Sequence, residues 1–269
     1  TRRMTTLDRE VLCPVRSKDE IGDLAVHVNG LYASLLRTIE SLELELQKAG
    51  EAERSQADFL RAASHELKTP VTAVSVILEN MMLGVGKYKN ASEWLPKCKK
   101  LVDDLFAMLH ETLAASRLGE AEEAPESRSV EAFCADVLEP YALIARAKGL
   151  NLYVDWSGAF AVAAPPKLLG RALSNVFSNA VAYTPSGGRL AIYCRGRGLY
   201  VENECEPVPE EQRSRLFEPF FRPDASRSRE TGGNGLGLYI VATVLRKLKL
   251  DYAFEPMDWP LGMRFVIYF

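Results

Sequence analysis

Long apolar runs are missing from this chain. No stretch of about eighteen consecutive apolar residues occurs in its 269 residues, so no transmembrane helix is expected within it. A basic excess is missing too. There are 33 Lys and Arg against 36 Asp and Glu, a formal net charge of −3, which argues against a general nucleic-acid binder. The five cysteines (13, 98, 134, 194 and 205) are scattered and odd in number. They make neither a disulfide framework nor a zinc spacing, and a reducing compartment is the simple reading. No signal-peptide pattern opens the chain at Thr1. Histidine is scarce, with three in all, so each can be judged by its place.

What is present is a folded-protein composition, 47% hydrophobic and 26% charged, in a chain long enough for two or three units. Asp19-Glu-Ile-Gly-Asp-Leu24 predicts a helix start with acids in its first turn. Apolar residues follow at Leu24, Val28, Leu31 and Leu35, then at Ile39, Leu42 and Leu46, with a phase slip near Thr38. A coiled coil is expected there, and periodicity alone does not distinguish a relay from a spacer. Residues 49–83 are predicted as a long helix. In it Leu60, Leu67, Val74 and Met81 recur every seven residues, and Ala63, Pro70 and Ile77 follow three later, an a/d seam. That register puts His65 at f and Thr69 at c, both facing solvent, with Glu66 beside the imidazole. Pro70 has no N–H for the carbonyl of Glu66 and predicts a bend there.

A turn at Gly84-Val-Gly86 and Asn90 to Ser92 leads to a second helix, about 92–117, with its seam at Leu95, Cys98, Val102, Leu105 and Leu109, widened by Leu101 and Met108. So wide a stripe would leave a lone hairpin unstable in water, so two copies closing a four-helix bundle are expected. Leu118 to Ser129 is polar, acidic and proline-bearing, and reads as a linker. Beyond it the pattern alternates. Helices are predicted near 130–148, 166–183, 209–217 and 237–248, and strands near 150–156, 189–194, 198–203, 251–255 and 263–269. That mixture is an α+β sandwich with helices on one face of a mixed sheet.

Two groups in this second half carry chemistry. Asn175 and Asn179 stand four apart on one helix and present two amide oxygens, which suit a hard cation such as Mg²⁺; a solvated polar stripe would look the same. Gly232-Gly-Asn-Gly-Leu-Gly-Leu238 precedes an apolar helix, where glycines admit close phosphate approach and a helix N-terminus favours anions. Such a string alone is a weak signal. Phe217-Glu-Pro-Phe-Phe-Arg222 lies before it, then Arg227 and Arg229, cations suited to a triphosphate.

Taken in this order, the motifs resemble those of the sensor histidine kinases of two-component systems. Asp19 to Leu24 resembles the second half of a HAMP signal relay. His65-Glu-Leu-Lys-Thr-Pro70 resembles the phosphoacceptor motif of the dimerisation domain. Asn175 to Thr184 resembles the N box, Leu216 to Arg222 the F box, and Gly232 to Leu238 the G2 box of a Bergerat (GHKL-type) ATP-binding domain. Within the family, the stretches Glu202 to Glu211 and Ser226 to Ala242 are similar in texture to the vancomycin-resistance sensors of the VanS type. The resemblance implies a relay at 1–48, a phosphoacceptor hairpin at 49–119, a linker at 120–129 and a catalytic domain at 130–269. It also implies a homodimer, a cognate response regulator as partner, membrane spans upstream, and a cytoplasmic place for this part.

The resemblance implies roles as well. His65 attacks the γ-phosphate of ATP, Glu66 holds the proton of its other nitrogen, and Arg222 stabilises the moving phosphoryl group. ATP is held by Asn175, Asn179, Tyr183, Asn203, Phe217, Phe220, Arg222, Arg227, Gly233, Gly235, Leu236, Gly237 and Leu238, and Mg²⁺ by Asn179 and Asn175. Thr69 completes an E-x-x-T pattern associated with phosphatase activity. There are two departures. Where the G1 box has Asp-x-Gly-x-Gly, this chain has Asn203, Cys205 and Pro207, and where the N box has a basic residue it has Ala182. The first leaves open a degenerate scaffold or a phosphatase-dominant module. An ATP-gated machine of gyrase or chaperone type is the other alternative, disfavoured by the histidine motif on a dimerising hairpin.

Overall fold

The computed structural model describes residues 12–14, 20–116, 123–223 and 234–269. The chain divides into two compact units, Thr1–Leu60 and Arg61–Phe269. The expected coiled coil and histidine-bearing helix are one uninterrupted helix, α1 (Glu20–Met82), which continues through Pro70. In the first unit, Gly22 and Tyr32 are covered while Leu24, Leu31, Leu35, Leu42 and Leu46 stay exposed. The side-chain amide of Asn29 holds Cys13 from both sides, accepting from its N–H at 2.7 Å and donating to its carbonyl at 2.9 Å.

In the second unit α1 stops at a Schellman turn. Gly84 takes φ +62°, its N–H bonds the Met81 carbonyl, and the Val85 N–H bonds that of Asn80. A 3₁₀ turn over Gly86–Lys89 leads into α2 (Ala91–Ser116). The predicted seams are covered only in part. Ala63 and Cys98 are buried, and Leu67, Val74, Ile77, Leu101, Val102 and Leu105 are half-buried. Leu60, Leu95 and Leu109, expected on the seam, are exposed instead, as are Val71, Leu78, Met82, Phe106 and Leu113. The stripe is wider than one neighbouring helix can cover, so half of it faces outward.

The rest of the unit is a sandwich. Its five-stranded sheet has the order β2-β4-β5-β7-β6, from β2 (Asn151–Asp155), β4 (Arg189–Arg195), β5 (Gly198–Glu204), β6 (Asp251–Met257) and β7 (Gly262–Tyr268). Only β2 and β4 are parallel. Helices α3 (Val130–Ala147), α4 (Pro166–Tyr183) and α6 (Gly237–Leu248) cover one face, and a short α5 (Glu210–Arg213) runs into a 3₁₀ turn at Ser214–Phe217. Leu169, Leu173, Val176 and Phe177 of α4 and Ile240, Val244 and Leu245 of α6 are buried together with Leu190, Ile192, Leu199, Met263 and Ile267 of the sheet.

Residues 126–129, expected in the linker, form strand β1 (Glu126–Ser129), paired antiparallel with an unforeseen β3 (Ala161–Ala164). The ladder satisfies their backbone groups, and Ser129 doubles as N-cap of α3, its hydroxyl accepting from the Ala132 N–H at 3.1 Å. Residues 118–122 of that expected linker lie outside the described residues, as does Arg117, the expected end of the second helix.

Gly262 of β7 pairs with Glu204 of β5, and a Cβ there would overlap the backbone carbonyl of Asn203. Gly262→Ala is therefore expected to destabilise the unit by about 1–3 kcal/mol. A urea midpoint lowered at unchanged slope is the expected readout, and an unchanged midpoint would show that the strand yields freely.

Candidate functional site

His65 is displayed. Its side chain is 80% exposed, and Nδ1 lies 3.3 Å from Oε1 of Glu66. Adjacent residues on a helix do not face each other, so the carboxylate reaches the ring from its flank, and Nε2 is left outward. The Thr69 hydroxyl donates to the carbonyl of His65 at a long 3.4 Å. The open groove beside them, about 680 Å³, is bordered by His65, Thr69, Ala73, Ile77, Tyr88 and Trp94. Its far end was not foreseen from sequence. Trp94 donates from Nε1 to the Lys87 carbonyl at 2.9 Å, packs its ring at 4.5 Å and a 49° tilt against Tyr88, and carries Lys97 Nζ 4.1 Å over its ring. The signal was two aromatics six residues apart across a tight turn, with lysines beside both.

The two chemical groups of the second half come together. Asn175 and Asn179 flank the buried face of α4, and α6 packs against that helix. Asn175 donates from Nδ2 to the Arg171 carbonyl at 2.9 Å, so its oxygen is the atom left to offer. A Cβ on Gly237 would lie 3.2 Å from Asn175 Oδ1 and 3.3 Å from Asn179 Nδ2. The first turn of α6 therefore rests on both amides because residue 237 has no side chain. Among the described residues no side chain caps the N-terminus of α6 at Leu236, and a helix start carries N–H groups that suit an anion. Just before it, Asn234 Oδ1 accepts from the Leu236 N–H at 3.2 Å.

The F-box residues reach the same place through the backbone. The Phe220 N–H bonds the Gly235 carbonyl at 3.0 Å, with Phe220 at φ +64° and Gly235 at φ +76°. A Cβ on Gly235 would come within 2.7 Å of the Phe220 backbone. Phe217 packs its ring on Tyr252 and Phe254, at 5.2 and 6.3 Å, and braces this segment against β6. Leu236 is fully buried, Leu238 and Arg222 are half-buried, and Tyr183 is half exposed. Arg227, Arg229, Gly232 and Gly233 lie outside the described residues.

Asn203 is buried on β5 and bonds the thiol of Cys205; burial pushes that thiol's pKa up, partly offset by bonds from Asn203 and the Met263 backbone. Among the described residues no group of three or more His, Cys, Asp or Glu is placed to hold a metal. Two neutral amides fit a cation that arrives with its nucleotide and keeps its waters.

Two further features carry no motif in the sequence. The Lys148 ammonium donates to the carbonyls of Val181 and Ala182, at 2.9 and 2.8 Å. On the other face of the sheet, Glu202 accepts from the Tyr193 hydroxyl at 2.7 Å and from Arg264 Nε at 2.7 Å. Burial first, then the neighbouring carboxylate, pushes the Tyr193 phenol up to about 12.

The family described as histidine kinase-, DNA gyrase B- and HSP90-like ATPase matches residues 164–269. The chain is 38% identical over 253 residues to the sensor protein VanSB of Enterococcus faecalis, covering 92% of this chain and 57% of that protein. It is 32% identical over 267 residues to the sensor histidine protein kinase HK06 of Streptococcus pneumoniae, covering 99% of this chain and 60% of that one. The chain thus spans less than two thirds of the length of these relatives. The solved histidine kinase ThkA in complex with response regulator protein TrrA shares the fold, with TM-score 0.61 at 16% identity over 83% of this chain and 66% of that one.

Gly235 is the point at which the glycine string meets Phe220. Gly235→Ala adds strain at a positive φ and overlaps backbone that cannot swing away, and a loss of about 1–3 kcal/mol is expected. Thermal unfolding checks it, since a melting temperature equal to wild type means that Phe220 moves without cost.

Proposed function

We propose that the chain is a sensor histidine kinase of a two-component system, which phosphorylates itself on His65 with ATP and passes the phosphoryl group to an aspartate of a response regulator. One observation carries the reading: an exposed imidazole whose Nδ1 is held by Glu66 while Nε2 faces out. In this reading 49–119 is the phosphoacceptor hairpin, 130–269 the ATP-binding domain, and 1–48 part of a HAMP-like relay. The outward stripe of Val71, Leu78, Met82, Leu95, Phe106 and Leu113 supports a second copy completing a four-helix bundle. The identity to VanSB supports a place among the vancomycin-resistance sensors. Membrane anchoring belongs to the proposal as well, although no helix among the described residues is long and apolar enough to cross a membrane.

The proposed chemistry follows from the groups named. ATP lies along α4 with its phosphates toward the uncapped turn of α6, where N–H groups and the positive helix end favour them. Asn175 and Asn179 would hold an Mg²⁺ arriving with ATP, which would supply charge neutralisation at the phosphates. Nε2 of neutral His65 forms a bond to the γ-phosphorus as the bond to the bridging oxygen breaks and ADP leaves. The ring becomes cationic, and Glu66 stabilises its Nδ1–H. Arg222 steadies charge on the phosphoryl group in flight. The groove from His65 to Trp94 gives the regulator room beside the phosphohistidine. A phosphatase-dominant module is the second reading, favoured by Asn203, a neutral acceptor where the G1 box carries a charged one.

Two substitutions test this. His65→Gln is expected to abolish acid-labile, base-stable label from γ-labelled ATP while the dimer persists in size-exclusion chromatography. Label remaining on His27 or His110 would sink the assignment. Thr69→Ala is expected to keep autophosphorylation and lose most regulator dephosphorylation, because its hydroxyl shares the face of His65 and is only weakly engaged with the helix. Rates measured on one preparation decide it: equal loss of both activities, or of neither, makes Thr69 a helix support and no more.

A further inference from the structure

Helix α4 ends badly by its own means. The Ala180 carbonyl is satisfied twice, by the N–H and the hydroxyl of Thr184 at 3.1 and 2.6 Å. The next carbonyl, of Val181, has no helical donor, because the residue four places on is Pro185. That of Ala182 has none either, since the chain has turned away before Ser186. Both oxygens point out of the negative end of the helix, within one turn of Asn179. The Lys148 ammonium takes both, at 2.9 and 2.8 Å. It does so from a fixed place. Lys148 is the C-cap of α3, its carbonyl accepts from the Ser186 hydroxyl at 2.7 Å, and Gly149 next to it accepts from the Gly187 N–H at 3.2 Å. Asn151 closes the same corner, bonding the Gly187 and Gly188 carbonyls at 2.7 and 2.9 Å.

We propose that Lys148 is a positioning residue of the nucleotide site: it clamps the last turn of α4 and cancels the negative helix end that would otherwise face the phosphates. The proposal rests on the reading of Asn175 and Asn179 as the phosphate-side groups. The clamp sets Tyr183, four residues beyond Asn179 and therefore on its face. The charge matters most for the most anionic ligand. Two bare carbonyls near a triphosphate repel it, whereas an uncharged nucleoside is indifferent to them. A purely structural lysine would affect both ligands alike.

The test is calorimetric titration of the whole chain with MgATP and, separately, with adenosine, together with melting temperatures. Lys148→Gln keeps an N–H donor for the carbonyls and removes the charge; Lys148→Met removes both; Lys148→Arg keeps both. MgATP binding is expected to weaken about three- to tenfold in the Gln variant and at least as much in the Met variant, while Arg stays near wild type. Adenosine binding is expected to stay within about twofold in Gln and Arg. Equal weakening of both ligands in Lys148→Gln, or unchanged MgATP affinity, overturns the proposal. Should Lys148→Met fail to fold, the Gln and Arg variants alone decide. Wild-type chain that binds neither ligand refutes the nucleotide site itself, and the proposal with it, which is a distinct result from a variant that matches wild type.

Discussion

The absence of one side chain at Gly237 is the constraint on which the nucleotide half depends. Two helices carry the groups that the proposed chemistry needs, and they are useful only if the first turn of α6 lies directly on the amides of α4. With 3.2 to 3.4 Å between those amides and the place a Cβ would take, there is no room for a methyl group without displacement. The buried faces of both helices hold them to the sheet through Leu173, Phe177, Ile240 and Val244, so neither is free to retreat. Close packing thus does electrostatic work. It puts the first turn of α6 beside amide oxygens, at the end of a helix whose dipole already favours an anion.

The hairpin follows the opposite logic. There the phosphoacceptor candidate is kept out of packing, on the polar side of a helix that has two apolar sides. One apolar side is covered within the hairpin, at Ala63, Ile77 and Cys98, and the other is presented outward at Val71, Leu78, Phe106 and Leu113. A partner copy on the outward side and a regulator in the groove beside His65 would then approach different surfaces.

Much of this was legible in the sequence where a residue's meaning is local. Period-seven apolar residues placed His65 on the exposed side, and Gly-rich spacing marked the start of α6 at Gly237. Element bounds in the second half fell within a residue or two because Pro, Gly and strand alternation punctuate it sharply. Other features depend on pairing between distant segments, which no local pattern encodes. Strand β1 looked like linker because Glu126-Ser-Arg-Ser129 is polar, and only its ladder to Ala161–Ala164 makes it a strand. Leu60 and Leu95 fitted the seam register yet lie outside it, because a stripe wider than its neighbour must leave one side bare. Lys148 was invisible for the same reason: its partners are 33 and 34 residues away.

The cluster of Glu202, Arg264 and Tyr193 on the open face of the sheet has a bearing on how this sequence can drift. Glu202 is buried and takes its bonds from two different strands, a neutral hydroxyl 9 positions away and a counter-charge 62 positions away. Losing Arg264 alone leaves a carboxylate with little water and no counter-charge, whereas losing Glu202 alone leaves Arg264 part-exposed beside Glu255 at 3.5 Å. The dependence runs one way: Arg264 is hard to replace while Glu202 remains, and relatives that lack the arginine are expected to lack the glutamate too.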